Sequence, residues 1–494
     1  MVTGLALAVL PLSAAVLLVG GSAFFVAALI QPILYLYLLI LVIPLSSLLA
    51  IEVGGARVGL MEVILALGLS TWLLKLLATP TVVREKPKIM LGPLTGAFFL
   101  ILSTISLSWL TTFSLGASLV ETVKWVEMLA IYLFVFNLLS VQRIPWVVMT
   151  ILMAGLIQAG LGLYQFIFKV GPEGFLLFDG RFLRAYGTFA QPNPYGGYLG
   201  LILPMALALT IWAFTQNFST LLSNKPKLVW LLSFGILCLP LSLLLAALLA
   251  SQSRGALLGF AAASIVTLMV WSKKIALAFG TIALIGVMIG LLSSFSLSLI
   301  PAIDATDTNS PYNAVVQRVV DAVDAINITD VANAEVTDAN FATLERLAHW
   351  QAAREMWRDN LWLGVGIGNY AAVYPAYTVG PWLDPLGHAH NYLLNIGAEA
   401  GLIGITGYLI FWILTFGLLW ATVQNNGNFH KAVAVGIIGI LVHLHVHNLV
   451  DNLYVQGMYL HVAIVLALAS VLYRSGRCEP QQRKSYDHLT TFHH

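Results

Sequence analysis

Charge is what this sequence has least of: Asp, Glu, Lys and Arg together supply 9% of its 494 residues, against roughly a quarter in an average soluble domain. Stretches with no charge at all run from Lys88 to Glu121, Arg184 to Lys225, Lys227 to Arg254, Lys274 to Asp304 and Glu399 to Lys431. Each is long enough to hold the ~20 apolar residues that cross a bilayer. So many runs of that length exclude a soluble globular protein. Cysteine is nearly absent as well. The two present, Cys238 and Cys478, give no disulfide framework and no zinc site. No block of basic residues suggests a nucleic-acid partner. The start of the chain has no Lys or Arg and stays apolar to Leu49, which argues for a first membrane helix rather than a cleaved signal peptide.

What is present is 59% hydrophobic residues, arranged as an all-α polytopic membrane protein. Spans are expected near 5–28, 33–50, 58–78, 94–111, 118–140, 144–168, 195–216, 228–250, 254–271, 275–297, 391–422, 432–448 and 457–473, about 12 or 13 in all. The basic residues fall in alternate loops: Arg84, Lys86 and Lys88; Arg143; Lys225 and Lys227; Lys273 and Lys274; Lys431; and Arg474 to Lys484 in the tail. The positive-inside rule puts that side in the cytoplasm, with only the N-terminal end ambiguous. The opposite side receives a medium loop, 169–194, and a long one, 298–390. The chain thus divides into N-terminal membrane helices (1–297), a large helical extracytoplasmic loop (298–390), C-terminal membrane helices (391–473) and a cytoplasmic tail (474–494). Within the long loop, 313–326 and 341–358 read as helices. On the second, Arg346, Trp350, Ala353 and Trp357 share a face.

Four constellations carry chemistry. Ser251-Gln-Ser-Arg254-Gly255 places an Arg at a membrane boundary, where it either anchors a helix end or serves a function. Arg346 reads more simply as a solvated partner of Glu345 or Glu355. His388-Ala-His390-Asn391 stands directly before an apolar run. It can cap that helix, or it can supply a neutral imidazole as general base, with the helix N-terminus favouring both the neutral ring and a nearby phosphate. His443, His447 and Asp451 lie at i, i+4 and i+8. They can bind a metal, but with no fourth ligand evident a His447–Asp451 pair at the helix end is the simpler reading. The run Gly364-Val-Gly-Ile-Gly368 follows a helix rather than a strand and makes a poor dinucleotide loop. Glu52, Glu62, Glu121 and Glu127 read as helix-end ion pairs.

Together with Gly187-Thr-Phe-Ala-Gln-Pro-Asn193, Arg346-Leu-Ala-His-Trp350, Leu363-Gly-Val-Gly-Ile-Gly-Asn369, His390-Asn-Tyr-Leu and Glu399-Ala-Gly-Leu-Ile-Gly404, these stretches resemble the O-antigen ligase and polymerase superfamily of bacterial membrane glycosyltransferases over about residues 180–410. The resemblance implies a GT-C-like fold in a bacterial inner membrane. It implies transfer of a glycan from a polyprenyl-diphosphate carrier to the hydroxyl of an acceptor, inverting and without metal or other cofactor. Arg254 and Arg346 are implied to bind the diphosphate and His390 to be the base, at a periplasmic site surrounded by membrane lipid. Arg184, Asn193, Trp350, His388 and Asn391 are the expected substrate contacts. A polymerase of the same superfamily is the alternative within this chemistry. A small-anion (bicarbonate) transporter is the alternative outside it; Glu399, inside a span, is the main feature in its favour.

Overall fold

The computed structural model describes residues 12–48, 50–53, 56–78, 89–177, 180–221, 227–274, 276–278, 281, 330–337 and 340–490. The helices in chain order are α1 (Leu12–Ile30), α2 (Ile33–Val42), α3 (Leu60–Ala78), α4 (Thr95–Leu107), α5 (Leu115–Leu138), α6 (Ile144–Phe168), α7 (Pro192–Gly200), α8 (Leu203–Leu221), α9 (Lys227–Ser251), α10 (Arg254–Trp271), α11 (Phe341–Asp359), α12 (Tyr392–Asn425), α13 (Asn428–His447) and α14 (Met458–Thr490). Strand is confined to two small antiparallel hairpins, Ala50–Val53 with Ala56–Gly59 and Leu176–Leu177 with Phe182–Leu183. Among the described residues seven helices are long and apolar enough to cross a membrane, and four shorter apolar helices accompany them. α5 has the length but carries Glu121, Lys124 and Glu127. Every expected span has a helix in its place except 275–297, of which only 276–278 and 281 are described, and the helix expected over 313–326 lies outside the described residues.

Helices stand side by side because a backbone N–H or C=O left unpaired in hydrocarbon is costly, so each span must satisfy its own ladder. Apolar side chains then face either lipid or another helix. α14 is the central strut: it packs on α5 and α12, and 83% of its most apolar stretch is buried. α10 and α8 flank α13, and α9 lies between α6 and α8.

The alternation of charge in the sequence becomes two distinct ends. At one end Met90 N donates to Asn137 Oδ1, Asn426 Nδ2 donates to the Leu472 carbonyl, and Lys431 and Arg474 sit over the Trp271 and Phe136 rings. Lys75 Nζ donates to the Ile30 carbonyl at 2.7 Å. That bond puts the C-terminus of α1 at the basic end and resolves the orientation the sequence left open. The opposite end collects the hairpins, the 251–253 turn, the 448–457 turn and the loop helix α11.

The loop is keyed into the membrane part by a break in α12. Gly401 has φ 62 and ψ −161, non-helical values inside an otherwise continuous helix. The N–H groups freed there go to loop carbonyls, Leu402 N to Leu361 O at 2.8 Å and Ile403 N to Trp362 O at 3.3 Å, while Val365 N donates back to Ala398 O at 2.9 Å. The Gly364–Gly368 run is therefore a wedge rather than a nucleotide loop. Its glycines take positive φ, and a Cβ on Gly364 would enter the backbone of Glu399. Glu399, buried, accepts the Tyr370 N–H at 3.0 Å and fixes the far side of the wedge.

Gly401→Ala is expected to remove most stably folded protein. Its φ and ψ lie in a region almost confined to glycine, which costs an L residue about 1–3 kcal/mol, and the new Cβ would also strike the Trp362 backbone. Gly417→Ala on the same helix has open space around it and serves as the control. Equal thermal stability of the two variants in detergent would show that the break is not needed.

Candidate functional site

The site forms where α13 ends. Beyond His447 the chain turns, and three successive carbonyls accept from two other parts of the molecule, the start of α12 and the loop helix α11. Asn448 O takes the Tyr392 N–H at 2.8 Å, Leu449 O takes Asn391 Nδ2 at 3.0 Å, and Val450 O takes Arg346 Nε at 3.0 Å. The next residue, Asp451, faces the imidazoles.

Asn391 caps α12, its Oδ1 accepting the Leu394 N–H at 3.1 Å, as short polar side chains do at helix N-termini. The capping role that the sequence allowed the histidines thus belongs to Asn391. His390 precedes the cap with φ 50, a left-handed conformation uncommon for a non-glycine residue and frequent at functional sites. The turn is held by Asn395 Oδ1, which accepts the Ala389 N–H at 3.0 Å, and by Trp350 Nε1, which donates to the His390 carbonyl at 3.2 Å. Trp350 therefore supports the histidine turn.

His388 does not point away from His390, as it would if the helix had already begun. The helix starts at Tyr392, and the two rings lie 4.4 Å apart. His390 N donates to His388 Nδ1 at 3.1 Å. His390 Nδ1 is 3.4 Å from Asp451 Oδ1, close enough for an ion pair but without hydrogen-bond geometry, and neither of its ring nitrogens has a hydrogen-bond partner. His447 Nε2 approaches the other Asp451 oxygen at 3.8 Å. The expected His447–Asp451 pair is present as an approach without a hydrogen bond, and His390 shares its carboxylate.

Arg346 is not taken up by a neighbouring acid. Its Nε and one terminal nitrogen donate to the Val450 and Ala342 carbonyls, and Glu355 pairs with Arg358 at 2.5 Å instead. Arg254 opens α10 with its side chain exposed. The adjoining Gly255 packs so closely on Val450 and His447 that a Cβ would lie 2.8 Å from the Val450 side chain. Arg346 therefore bonds to this turn directly, while on α10 it is Gly255, the residue after Arg254, that packs against it. Arg184 and Asn193 are paired to one another at 2.8 Å, and Arg184 Nε also donates to the Ser251 carbonyl. They brace the turn that precedes Arg254.

Two groups escaped the sequence reading. His349 stacks on Tyr374 at 4.7 Å between ring centroids, and its Nδ1 shares a hydrogen bond of 2.9 Å with the Tyr370 hydroxyl. Its only signal was its place between Arg346 and Trp350. Asp451 was visible as a partner of His447 but not of His390, a pairing between segments far apart in the chain. Burial opposes charge on Asp451, but the adjoining His390 and His447 imidazoles outweigh it and hold its carboxyl well below the usual range. Burial pushes the Glu345 carboxyl up, against the pull of His390 and Arg346.

With this geometry in hand, comparison with known families is decisive. Residues 239–409 match the family model described as O-Antigen ligase. That match supports placing the region that holds Arg254, Arg346 and His390 in the O-antigen ligase and polymerase superfamily. No curated protein matches it. The matched stretch contains Arg254, Arg346, His388, His390 and Asn391, while Asp451, Arg184 and Asn193 lie outside it.

His349 and His388 are held neutral. Burial, reinforced by the neighbouring His390, pushes each from 6.5 down to about 4. The unfolded chain therefore takes up protons below about pH 6.5 that the fold refuses, so docking of α11 should lose stability as the pH falls from 6.5 towards 4 and should not change on this account above 6.5. Hydrogen exchange across 341–359, corrected for intrinsic rates, should show lower protection at pH 5 than at pH 7.5, with the drop blunted in His349→Phe. Equal protection at both pH values would contradict the assignment.

Proposed function

We propose that this protein transfers a glycan from a polyprenyl-diphosphate carrier to an acceptor hydroxyl, at a site on the extracytoplasmic face of a bacterial inner membrane. The observation that carries the reading is the 447–451 turn, which brings together at one end of the bundle an imidazole, a carboxylate, the carbonyl that holds Arg346 and the packing of Gly255, next to Arg254. The acceptor oxygen attacks the anomeric carbon as the bond from that carbon to the diphosphate oxygen breaks. His390 takes the hydroxyl proton, and Asp451 stabilises the imidazolium that results. Arg254 and Arg346 neutralise the charge that develops on the departing diphosphate, which guanidinium groups do by bidentate contacts without a metal. Attack opposite the leaving group inverts the anomeric centre. The lipid chain of the donor stays in the bilayer.

A polymerase would use the same residues with a growing glycan end as acceptor. The transporter alternative is weakened because Glu399, the acid inside a span, has a structural partner in the Tyr370 N–H.

Sidedness is tested by labelling. A cysteine at Val336, an exposed loop position, should react with a membrane-impermeant reagent in intact spheroplasts, and one at Leu91, exposed at the basic end, should not. The reverse pattern would sink the topology.

The chemistry is tested with purified protein, a polyprenyl-diphosphate glycan and candidate acceptors, following both joined product and released carrier. Arg254→Ala or Arg346→Ala should abolish transfer, with poor rescue by Lys, which lacks the planar fork. His390→Ala should lower kcat by roughly 10²-fold or more, and His388→Ala much less. Asp451→Asn should lower kcat with little change in KM, because the imidazolium formed as the hydroxyl proton is taken loses its counter-charge. Full activity in both Arg→Ala variants would rule out the diphosphate-binding role of the arginines, and full activity in His390→Ala would rule out that histidine as the base.

A further inference from the structure

The turn that carries His390 presents a second chemistry. His388, His390 and Asp451 each offer one ligand atom, and these atoms all lie within 4.8 Å of one another. The His390 Nδ1–Asp451 Oδ1 separation of 3.4 Å lacks hydrogen-bond geometry, yet it is the spacing that two ligands of one tetrahedral ion adopt. Donors at about 2.0–2.2 Å from zinc stand roughly 3.3–3.5 Å apart. The shielded nitrogens of His390 have no other partner, so its lone pair is uncommitted.

We propose that His388, His390 and Asp451 form a binding site for a divalent transition cation of the zinc class, and that its occupancy switches transfer off. Two imidazoles and one carboxylate are a donor set for Zn2+, Ni2+ or Cu2+ rather than for Mg2+ or Ca2+, which prefer oxygen. Three protein ligands leave one position for water. Binding asks for one concession: His388 Nδ1 now accepts the His390 N–H, a single neutral hydrogen bond that chelation by three side chains outweighs. The ion takes the lone pair on which His390 would receive the acceptor proton, so no bond is made or broken and removal of the ion restores the base. The binding half stands on the geometry alone. The switching half rests on the proposed role of His390.

The test uses the full-length protein in detergent with Zn2+ as the probe, measuring binding by equilibrium dialysis and transfer as the ratio of rates with and without zinc in each variant. The expected result is one Zn2+ per chain, weakened at least ~10-fold in His388→Ala and in Asp451→Asn and unchanged in His430→Ala, whose imidazole lies at the basic end. Zinc should depress the wild-type rate, EDTA should restore it, and His388→Ala should keep a larger fraction of its own rate in zinc. Absence of stoichiometric binding, or binding indifferent to both substitutions, overturns the site and leaves the base assignment untouched. Binding at these residues with transfer undiminished overturns the switch, and the base assignment of His390 with it.

Discussion

A carbonyl just beyond the C-terminus of a helix has lost the N–H that another turn would have provided, and in a membrane protein such groups must be satisfied by protein or by interfacial water. At the end of α13 the carbonyls of Asn448, Leu449 and Val450 are satisfied by the first N–H of α12, by the residue that caps α12, and by the loop-helix arginine. These three bonds fix the mutual position of α11, α12 and α13. The rest of the site follows from them. His390 is placed because it precedes the capped end of α12, Asp451 because it follows the third carbonyl, and Arg254 because Gly255 leaves room for the turn to press against α10.

The division of labour among polar groups is clear in this arrangement. Asn391, Asn395, Trp350, Arg184 and Asn193 spend their hydrogen bonds on backbone or on each other. Their work is to hold turns in conformations that would not persist alone, including the left-handed His390. The imidazole of His390 is left without a hydrogen bond. A buried unpaired polar group is costly in a protein interior, and a catalytic role, a ligand or a water molecule is what such a group calls for.

Much of this was legible in the chain. Charge-free runs located the helices because a membrane-spanning segment tolerates few charges, and the basic loops sorted their ends because that bias is a property of short segments. Arg254 stood out because a charged group at a membrane boundary is expensive to place without purpose, and His390 because it directly precedes an apolar helix, whereas Arg346 read as a solvated residue until the family resemblance singled it out. What could not be read was any relation between distant segments. The carboxylate beside His390 comes from another loop, and the partners of Arg346 are carbonyls, which every residue possesses and no sequence pattern marks. The side on which α1 begins was hidden for the same reason, since one lysine-to-carbonyl bond decides it. The common orientation of His388 and His390 depended on where the helix starts to within a residue, and periodicity does not fix boundaries that finely.

The break at Gly401 bears on how the chain reaches its place in the bilayer. With the ladder of α12 interrupted, two N–H groups depend on carbonyls at Leu361 and Trp362, and an unsatisfied backbone group in hydrocarbon costs several kcal/mol. α12 is therefore not a self-sufficient insertion unit that a translocon can release sideways into lipid. The loop segment at Leu361–Trp362 must fold back before the helix settles, so docking of that segment and integration of the span form one coupled step of biogenesis.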